Sequence, residues 1–274
     1  MSKVSISTIV FVLLLTVGDC SAAKCASNCE SQNIRECSQT KPDPVDAVLN
    51  QLNAKTRALK SYQCLTEYKT IQPLLESEAL RKGTLYYAKF GEKSKLRINF
   101  ETLKQDDEKE QKYLEQYIFD GRWLTQINYQ IKAVRKYELT EPNKPVDAFD
   151  VASNNIPLIG FTKIENLKKQ FDITLVDQKK DKTPTFFQLH LTVKPNSTYK
   201  DDYSSLDFWI DKKLGLPTKI VAVSTEPEHP FEDIYEIKFL KPQINKKIDA
   251  KIFDFKIPRG FGEPEIIPLK KKDK

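Results

Sequence analysis

The chain has 274 residues, of which 39% are hydrophobic and 30% charged, and its net charge is +6. This length suits one large β domain or two smaller domains, and the composition excludes a low-complexity or fibrous chain. The 44 basic and 38 acidic residues are interleaved along the chain. Because no basic cluster is combined with aromatic residues on one element, the sequence does not predict nucleic-acid binding.

Residues 1–23 have the pattern of a signal peptide. Lys3 supplies a positive charge, the ten residues Thr8–Val17 are mostly apolar, and Ser21–Ala23 resembles a cleavage site. The apolar run is shorter than the about 20 residues that cross a bilayer. We therefore expect a soluble, exported protein, cleaved near Ala23 and located in the periplasm, with secretion as the alternative.

Two further features concern the membrane. Acylation of Cys20 would give a membrane-anchored lipoprotein, although Asp19 stands where that chemistry prefers a small residue. Residues 265–274 form a basic tail that includes Lys270–Lys272. The tail is predicted to be solvated, or else to be attracted weakly to anionic lipids in a transient membrane contact.

Four cysteines remain after the signal peptide is removed. Cys25, Cys29 and Cys37 lie in a polar leader, residues 24–41, and Cys64 lies in a predicted strand. An even number in an exported protein predicts two disulfides, with three pairings open. At least one bridge would then join the leader to the strand of Cys64; a zinc site of four thiolates is the alternative.

The main domain is expected at residues 42–264 and begins with a helix after Pro44. Its apolar residues share one helical face: Val45, Val48, Leu49, Leu52 and Leu59. A second, short amphipathic helix is predicted from Ile164 to Phe171. A charged loop is predicted at 101–112.

From residue 62 the apolar residues alternate with polar ones, which predicts strands. Asp120-Gly121 is a hairpin signal between two of them. The predicted strands are 62–68, 79–89, 95–100, 113–119, 122–128, 133–139, 171–176, 185–193, 203–210, 217–223, 234–239 and 252–257.

This order of elements predicts a mainly β fold, in which about 11 strands form one strongly curved antiparallel sheet with two helices packed on it. Several strands have apolar residues on both faces, as in Leu85–Tyr87, Phe186-Phe187 and Leu206–Ile210. A sheet with water on one side does not need this pattern. Helices therefore cover the second face, or the face lines an apolar cavity.

The residues that catalysis normally uses are sparse. Of the two histidines, His190 alternates with leucines in a strand and is expected to point outward, whereas His229 lies in an acidic loop between prolines. That loop is predicted to be solvated, with a divalent-ion site as the alternative. The sequence has no nucleophile, zinc or phosphate motif, so we expect a binding protein without enzyme activity, metal or cofactor.

Several segments, in this order, resemble the LolA/LolB-like family of periplasmic lipoprotein carriers, which is related to the sensor domain of RseB. The most specific of them is Phe253-Asp-Phe-Lys-Ile-Pro-Arg-Gly-Phe261. The others are 59–68, Lys82-Gly-Thr-Leu-Tyr-Tyr-Ala-Lys89, Leu96–Ile98, Tyr117–Leu124, Ile156–Gly160, Leu206–Asp211 and Gly215–Pro217. One position departs from the carriers, since Phe90 stands where they have an arginine.

The resemblance implies an unclosed β-barrel whose helices form a lid over an apolar cavity. The ligand would be the acyl chains of a lipoprotein, or another lipid, bound by a monomeric carrier in outer-membrane lipoprotein sorting. An RseB-type sensor that binds an envelope protein or lipoprotein without transport is the alternative.

Ten residues are predicted to contact the ligand. Because a one-residue error in register inverts the two faces of a strand, filling of the core is the alternative role for each. The expected cavity residues are Tyr86, Phe100, Phe119, Trp123, Phe187, Phe208 and Trp209, and the expected lid residues are Leu158, Ile159 and Phe161.

Overall fold

The computed structural model describes residues 43–269, except for 92, 142, 143, 145, 150–163, 178–184 and 226–230. The predictions for several segments therefore lie outside the described residues. These are the signal peptide, the leader with Cys25, Cys29 and Cys37, the lid residues Leu158, Ile159 and Phe161, the loop of His229, and Lys270–Lys274.

Helix α1, Pro44–Arg57, confirms the first predicted helix. The Asp43 side chain accepts a hydrogen bond from the Val45 backbone N–H at 3.0 Å, which caps the helix. Its apolar face is buried at Val48, Leu49 and Leu52. None of the helices in the described part of the chain is long and apolar enough to cross a membrane.

The described residues form one sheet of twelve strands. Helix α2, Ile164–Gln170, lies between the sixth and seventh strands. The strands are β1 Ser61–Gln72, β2 Ser77–Phe90, β3 Lys93–Gln105, β4 Gln111–Phe119, β5 Trp123–Asn128, β6 Ala133–Glu138, β7 Phe171–Leu175, β8 Phe186–Val193, β9 Tyr203–Asp211, β10 Pro217–Ser224, β11 Ile234–Ile244 and β12 Glu265–Ile267.

The strand order is β12-β6-β5-β4-β3-β2-β1-β11-β10-β9-β8-β7. All neighbours pair antiparallel except β12 and β6, which are parallel. The first and last strands of this order do not pair with each other, so the sheet is an unclosed, curved half-barrel. The predicted fold class is confirmed.

The register divides the sheet into two faces. Tyr62, Tyr87 and Leu96 pair in succession across β1, β2 and β3, and all three are buried. They belong to the main core cluster, which also contains Leu49 and Leu52 of α1. We call this side of the sheet the inner face, and the opposite side the outer face.

A smaller cluster lies on the outer face. Ile118, Ile127 and Val134 are buried there, with Phe255 and Phe261 packed against them. The guanidinium of Arg97 donates a hydrogen bond to the backbone oxygen of Ile252 at 2.6 Å. These contacts hold the chain after β11 across the outer face.

Three predictions of local structure were wrong. Strands β3 and β4 extend into the predicted loop and leave only residues 106–110 outside them, because polar residues there still pair across the hairpin. Residues 252–257 do not form a strand; a 3₁₀ helix, Ala250–Phe253, is followed by irregular chain that packs on the outer face. Residues 265–267 of the predicted tail form β12.

Candidate binding face

Four of the predicted cavity residues lie on the inner face. Phe100, Phe119 and Phe208 are at most 1% exposed and belong to the main core cluster. Phe187 pairs with the buried Ile210 and packs against the same cluster, but is only half-buried. The first three therefore form the wall of the inner face, and Phe187 lies at its margin.

The other three predicted residues lie on the outer face. Tyr86 is located between the buried Leu85 and Tyr87, so its side chain points away from the main core. Trp209 likewise follows the buried Phe208, and the Lys219 ammonium is 3.5 Å from the centre of its ring.

Trp123 has similar surroundings. Cations lie over its ring, with the Arg122 guanidinium at 5.3 Å and the Lys136 ammonium at 5.2 Å. A cation–π contact can thus stabilise a half-buried aromatic ring outside the core. These three residues do not line the inner face.

Cys64 forms no disulfide with any residue that the structure describes, and its predicted partners Cys25, Cys29 and Cys37 lie outside the described residues. It is 2% exposed and belongs to the main core cluster on the inner face. Burial raises the pKa of this thiol to about 12.

One end of the inner face is covered by the chain itself. The Tyr87 hydroxyl donates to Asp147 at 2.9 Å, and its ring stacks on Phe149 with 4.2 Å between the ring centres. The backbone N–H of Ala148 donates to the Ser94 hydroxyl at 2.7 Å. Helix α1 lies at this same end, where β1 begins.

The other end has a row of five aromatic rings, which we call the aromatic row. It runs across β4, β3, β1, β11 and β9 and contains Tyr117, Phe100, Tyr68, Tyr235 and Tyr203. Successive ring centres are 6.3, 6.1, 6.5 and 6.4 Å apart. The four tyrosines are half-buried, so each keeps part of its surface open.

A buried carboxylate lies beside this row. Glu115 is 3% exposed and pairs with Phe100 across β3 and β4. It accepts hydrogen bonds from the hydroxyls of Tyr113 at 3.3 Å and Tyr117 at 3.1 Å, and from the Gln126 amide at 2.8 Å. Burial, and secondarily the charge of Glu115, raise the pKa of Tyr117, which therefore remains a hydrogen-bond donor.

The positive partner of Glu115 is Arg81. Its Nε lies 3.9 Å from the Glu115 carboxylate, and its guanidinium lies over the Tyr113 ring at 5.5 Å. Sequence reasoning missed this pair. The signal was present in β4, where Tyr113, Glu115, Tyr117 and Phe119 alternate and place an acid among aromatic rings on one face.

A separate groove of about 250 Å³ lies mainly on the outer face. Leu65 and Leu240 pair directly in the register and are 46% and 37% exposed. The lining also includes Thr66, Glu67, Lys82, Gly83, Thr84, Glu101, Thr102 and Glu110. This groove offers an aliphatic floor with a charged rim.

His190, the one histidine among the described residues, lies on the outer face of β8. His190 points outward as predicted, with Nδ1 3.2 Å from the Asp207 carboxylate. The described ranges contain no group of three His, Cys, Asp or Glu side chains placed to hold a metal ion. The inner face combines aromatic surface with one buried carboxylate, Glu115, and its partly exposed cationic partner, Arg81.

No family model matches the chain, and no curated protein matches its sequence. Solved structures are similar to it. One is an uncharacterized conserved protein from Thermus thermophilus, with 10% identity, coverage of 82% of this chain and 98% of that chain, and a TM-score of 0.44. A second is the MucA/MucB complex of Pseudomonas aeruginosa, with 13% identity, coverage of 77% and 61%, and a TM-score of 0.40.

A third is a LolA superfamily protein from Nitrosomonas europaea, with 12% identity, coverage of 77% and 97%, and a TM-score of 0.35. At such low similarity a function does not carry over, so the geometry of the inner face has to support it.

Proposed function

We propose that this chain is a LolA-like, non-catalytic binding protein that holds an apolar ligand against the inner face of its half-barrel. The aromatic row is the observation that carries this proposal. Contiguous, partly exposed aromatic surface is costly in water and is typical of a binding site. The row lies at the end of the inner face opposite α1, and it extends the buried wall that contains Phe100, Phe119 and Phe208.

The proposed ligand is an acyl chain, either of a lipoprotein or of a free lipid. Phe187 would contact it at the margin, and Leu158, Ile159 and Phe161 would close over it as a lid. The signal-like residues 1–23 support export to the periplasm, where the chain would act as a monomeric carrier of the kind that sorts outer-membrane lipoproteins.

Lipid binding can be tested on the full-length chain purified without detergent. We expect native mass spectrometry to show a bound lipid, and the protein to take up cis-parinaric acid, a fluorescent fatty acid. Protein that is entirely free of lipid and takes up no fatty acid would contradict the proposal.

The role of the row can be tested within one strand. Tyr203→Ser removes a ring of the row, and we expect it to weaken parinaric-acid binding about tenfold, as for the loss of one buried aromatic contact. Trp209→Ser is the matched control, because it removes a ring from the outer face of the same strand. Equal losses in the two variants would exclude the inner face as the binding surface.

A second candidate function is the RseB type, in which an envelope protein is bound without transport. The exposed Leu65 and Leu240 in the outer groove favour it, because paired leucines on a sheet face can receive an apolar side chain of a partner. Leu65→Asp should then abolish co-purification of one defined envelope partner and leave parinaric-acid uptake unchanged. Retention of the partner by this variant would count against the groove.

A further inference from the structure

The hydrogen bonds of Glu115 leave its ion-pair partner unsatisfied. One carboxylate oxygen of Glu115 accepts from Tyr117 and Gln126, and the other accepts from Tyr113. Three neutral donors thus occupy a carboxylate that Arg81 approaches only to 3.9 Å. This distance permits Coulomb attraction but is too long for a hydrogen bond.

Arg81 consequently has a donor without an acceptor. Its Nε is shielded from solvent and has no hydrogen-bond partner. Among the described residues its ion-pair partner is Glu115, at 3.9 Å. Leaving a buried N–H donor of a guanidinium unpaired costs free energy. The buried Nε therefore lacks a hydrogen-bond acceptor.

The position of Arg81 connects this unpaired donor to the aromatic row. Arg81 pairs directly with Tyr68 of the row across β1 and β2. Its side chain is 30% exposed, so part of the guanidinium can be reached from the inner face. A ligand that contacts Tyr68 would therefore lie beside these N–H groups.

We infer that Arg81 binds the oxygen acceptors of the ligand's polar head, either a carboxylate, an ester carbonyl or a phosphate, while the hydrocarbon chain lies along the aromatic row. This inference rests on the proposed function and names the class of ligand, an amphiphile with an acceptor-rich head. A head group that only donates hydrogen bonds, such as an ammonium, cannot accept a hydrogen bond from Arg81 and carries the same charge as the guanidinium. Planar carboxylate and phosphate groups also match the geometry of a guanidinium.

The test uses ligands of one chain length with different heads. Oleic acid, methyl oleate, oleoyl lysophosphatidic acid and oleylamine are titrated against the full-length protein by displacement of parinaric acid. We expect the acid, the ester and the phosphate to bind at least about tenfold more tightly than the amine, as for the loss of a charge-assisted hydrogen bond. The order of the first three then identifies the type of acceptor.

Two variants assign the effect to Arg81. Arg81→Gln should remove most of the preference over the amine, and Arg81→Gln combined with Glu115→Gln should do the same in a protein without a buried unpaired charge. Lys82→Gln, the adjacent cation on the outer face, should keep the preference. Thermal melting confirms that each variant is folded before titration.

The outcomes separate the inference from the function on which it rests. If every ligand binds with similar affinity, or if folded Arg81 variants keep the preference, the inference is overturned and lipid binding stands. If no amphiphile binds the wild-type protein, both the inference about Arg81 and the proposed lipid-binding function are contradicted. Loss of the preference in both Arg81 variants, with its retention in Lys82→Gln, supports the inference.

Discussion

The two faces of β9 show how differently this sheet uses its aromatic residues. On the inner face, Leu206, Phe208 and Ile210 are 0% exposed and belong to the main core cluster. On the outer face of the same strand, Trp209 is half-buried under Lys219, and Asp207 accepts a hydrogen bond from Gln188 at 3.2 Å. Adjacent aromatic residues are thus stabilised by close packing on one side and by a cation on the other.

This difference explains why apolar residues on both faces of a strand do not imply two equivalent cores. Burial of a large ring in a packed core contributes several kcal/mol, whereas a partly exposed cation–π contact contributes about 0.5–1 kcal/mol. The outer face can therefore tolerate substitutions that the inner face cannot. Each prediction below changes matched positions on the two faces or tests what sets them apart.

The largest effect is expected from Phe208→Ala. The cavity that this substitution leaves should lower the free energy of unfolding by about 3–5 kcal/mol. Trp209→Ala should lower it by about 1 kcal/mol, since it removes a half-buried ring and one cation–π contact. Urea denaturation followed by circular dichroism measures both, and equal losses would contradict the division of the sheet into an inner and an outer face.

The sequence of β9 predicted the strand but could not show which face was inner. Alternation places Phe208 and Trp209 on opposite sides, yet each side carries an aromatic residue, so the pattern is symmetric. The symmetry is broken by packing of the core against α1, a contact between distant parts of the chain. For the same reason the sequence could not show that Tyr86 and Trp123 lie on the outer face.

The alternating pattern also gave a wrong strand prediction at residues 252–257, where the chain has no neighbouring strand to pair with. Phe253 and Phe255 alternate as they would in a strand, but they pack on the sheet without joining it, and Phe253 lies in a 3₁₀ helix. At the candidate site, the strand of Glu115 was predicted correctly. The proximity of Glu115 to Arg81 depends on the register of β2, β3 and β4, which a single sequence does not specify.

A second large effect is expected at a bulge in the sheet. The pairing of β2 with β3 shifts between Lys82 and Gly83, beside the aromatic row. A Cβ atom at Gly83 would lie 1.8 Å from the backbone oxygen of Asn99. Gly83→Ala should therefore destabilise the protein by about 3 kcal/mol, the upper range for overpacking, because backbone has to move.

Gly262→Ala is the matched control for the bulge, because a Cβ atom there meets nothing within 4 Å. We expect its unfolding curve in urea to coincide with that of the wild type to within about 0.5 kcal/mol. Comparable destabilisation by the two substitutions would show that loss of glycine flexibility, and not the close approach at the bulge, determines the result.

Alkaline pH should destabilise the fold by ionising Tyr68 of the aromatic row. Burial, and then the nearby Tyr235, raise the pKa of Tyr68 from 10.0 to about 12. In the unfolded chain the hydroxyl ionises near pH 10, whereas in the folded chain it stays protonated. The stability that this group contributes is therefore complete below pH 10 and is lost as the pH rises toward 12, with a slope of up to about 1.4 kcal/mol per pH unit.

Tyr68→Phe should make this alkaline decline shallower. Urea denaturation between pH 8.5 and 11.5 compares the variant with the wild type, in which other buried tyrosines keep part of the slope. Parallel curves for the two proteins would contradict the raised pKa of Tyr68.

The smallest effect is expected at the covered end of the inner face, where Tyr87 and Tyr86 again compare the two sides of one strand. Tyr87→Phe removes the hydroxyl that donates to Asp147 at 2.9 Å and keeps the ring that stacks on Phe149. The free energy of unfolding should fall by about 1 kcal/mol, as for one hydrogen bond. Tyr86→Phe, on the outer face, should change it by less than about 0.5 kcal/mol. If the order is reversed, the contact between Tyr87 and residues 147–149 does not hold the chain over this end of the inner face.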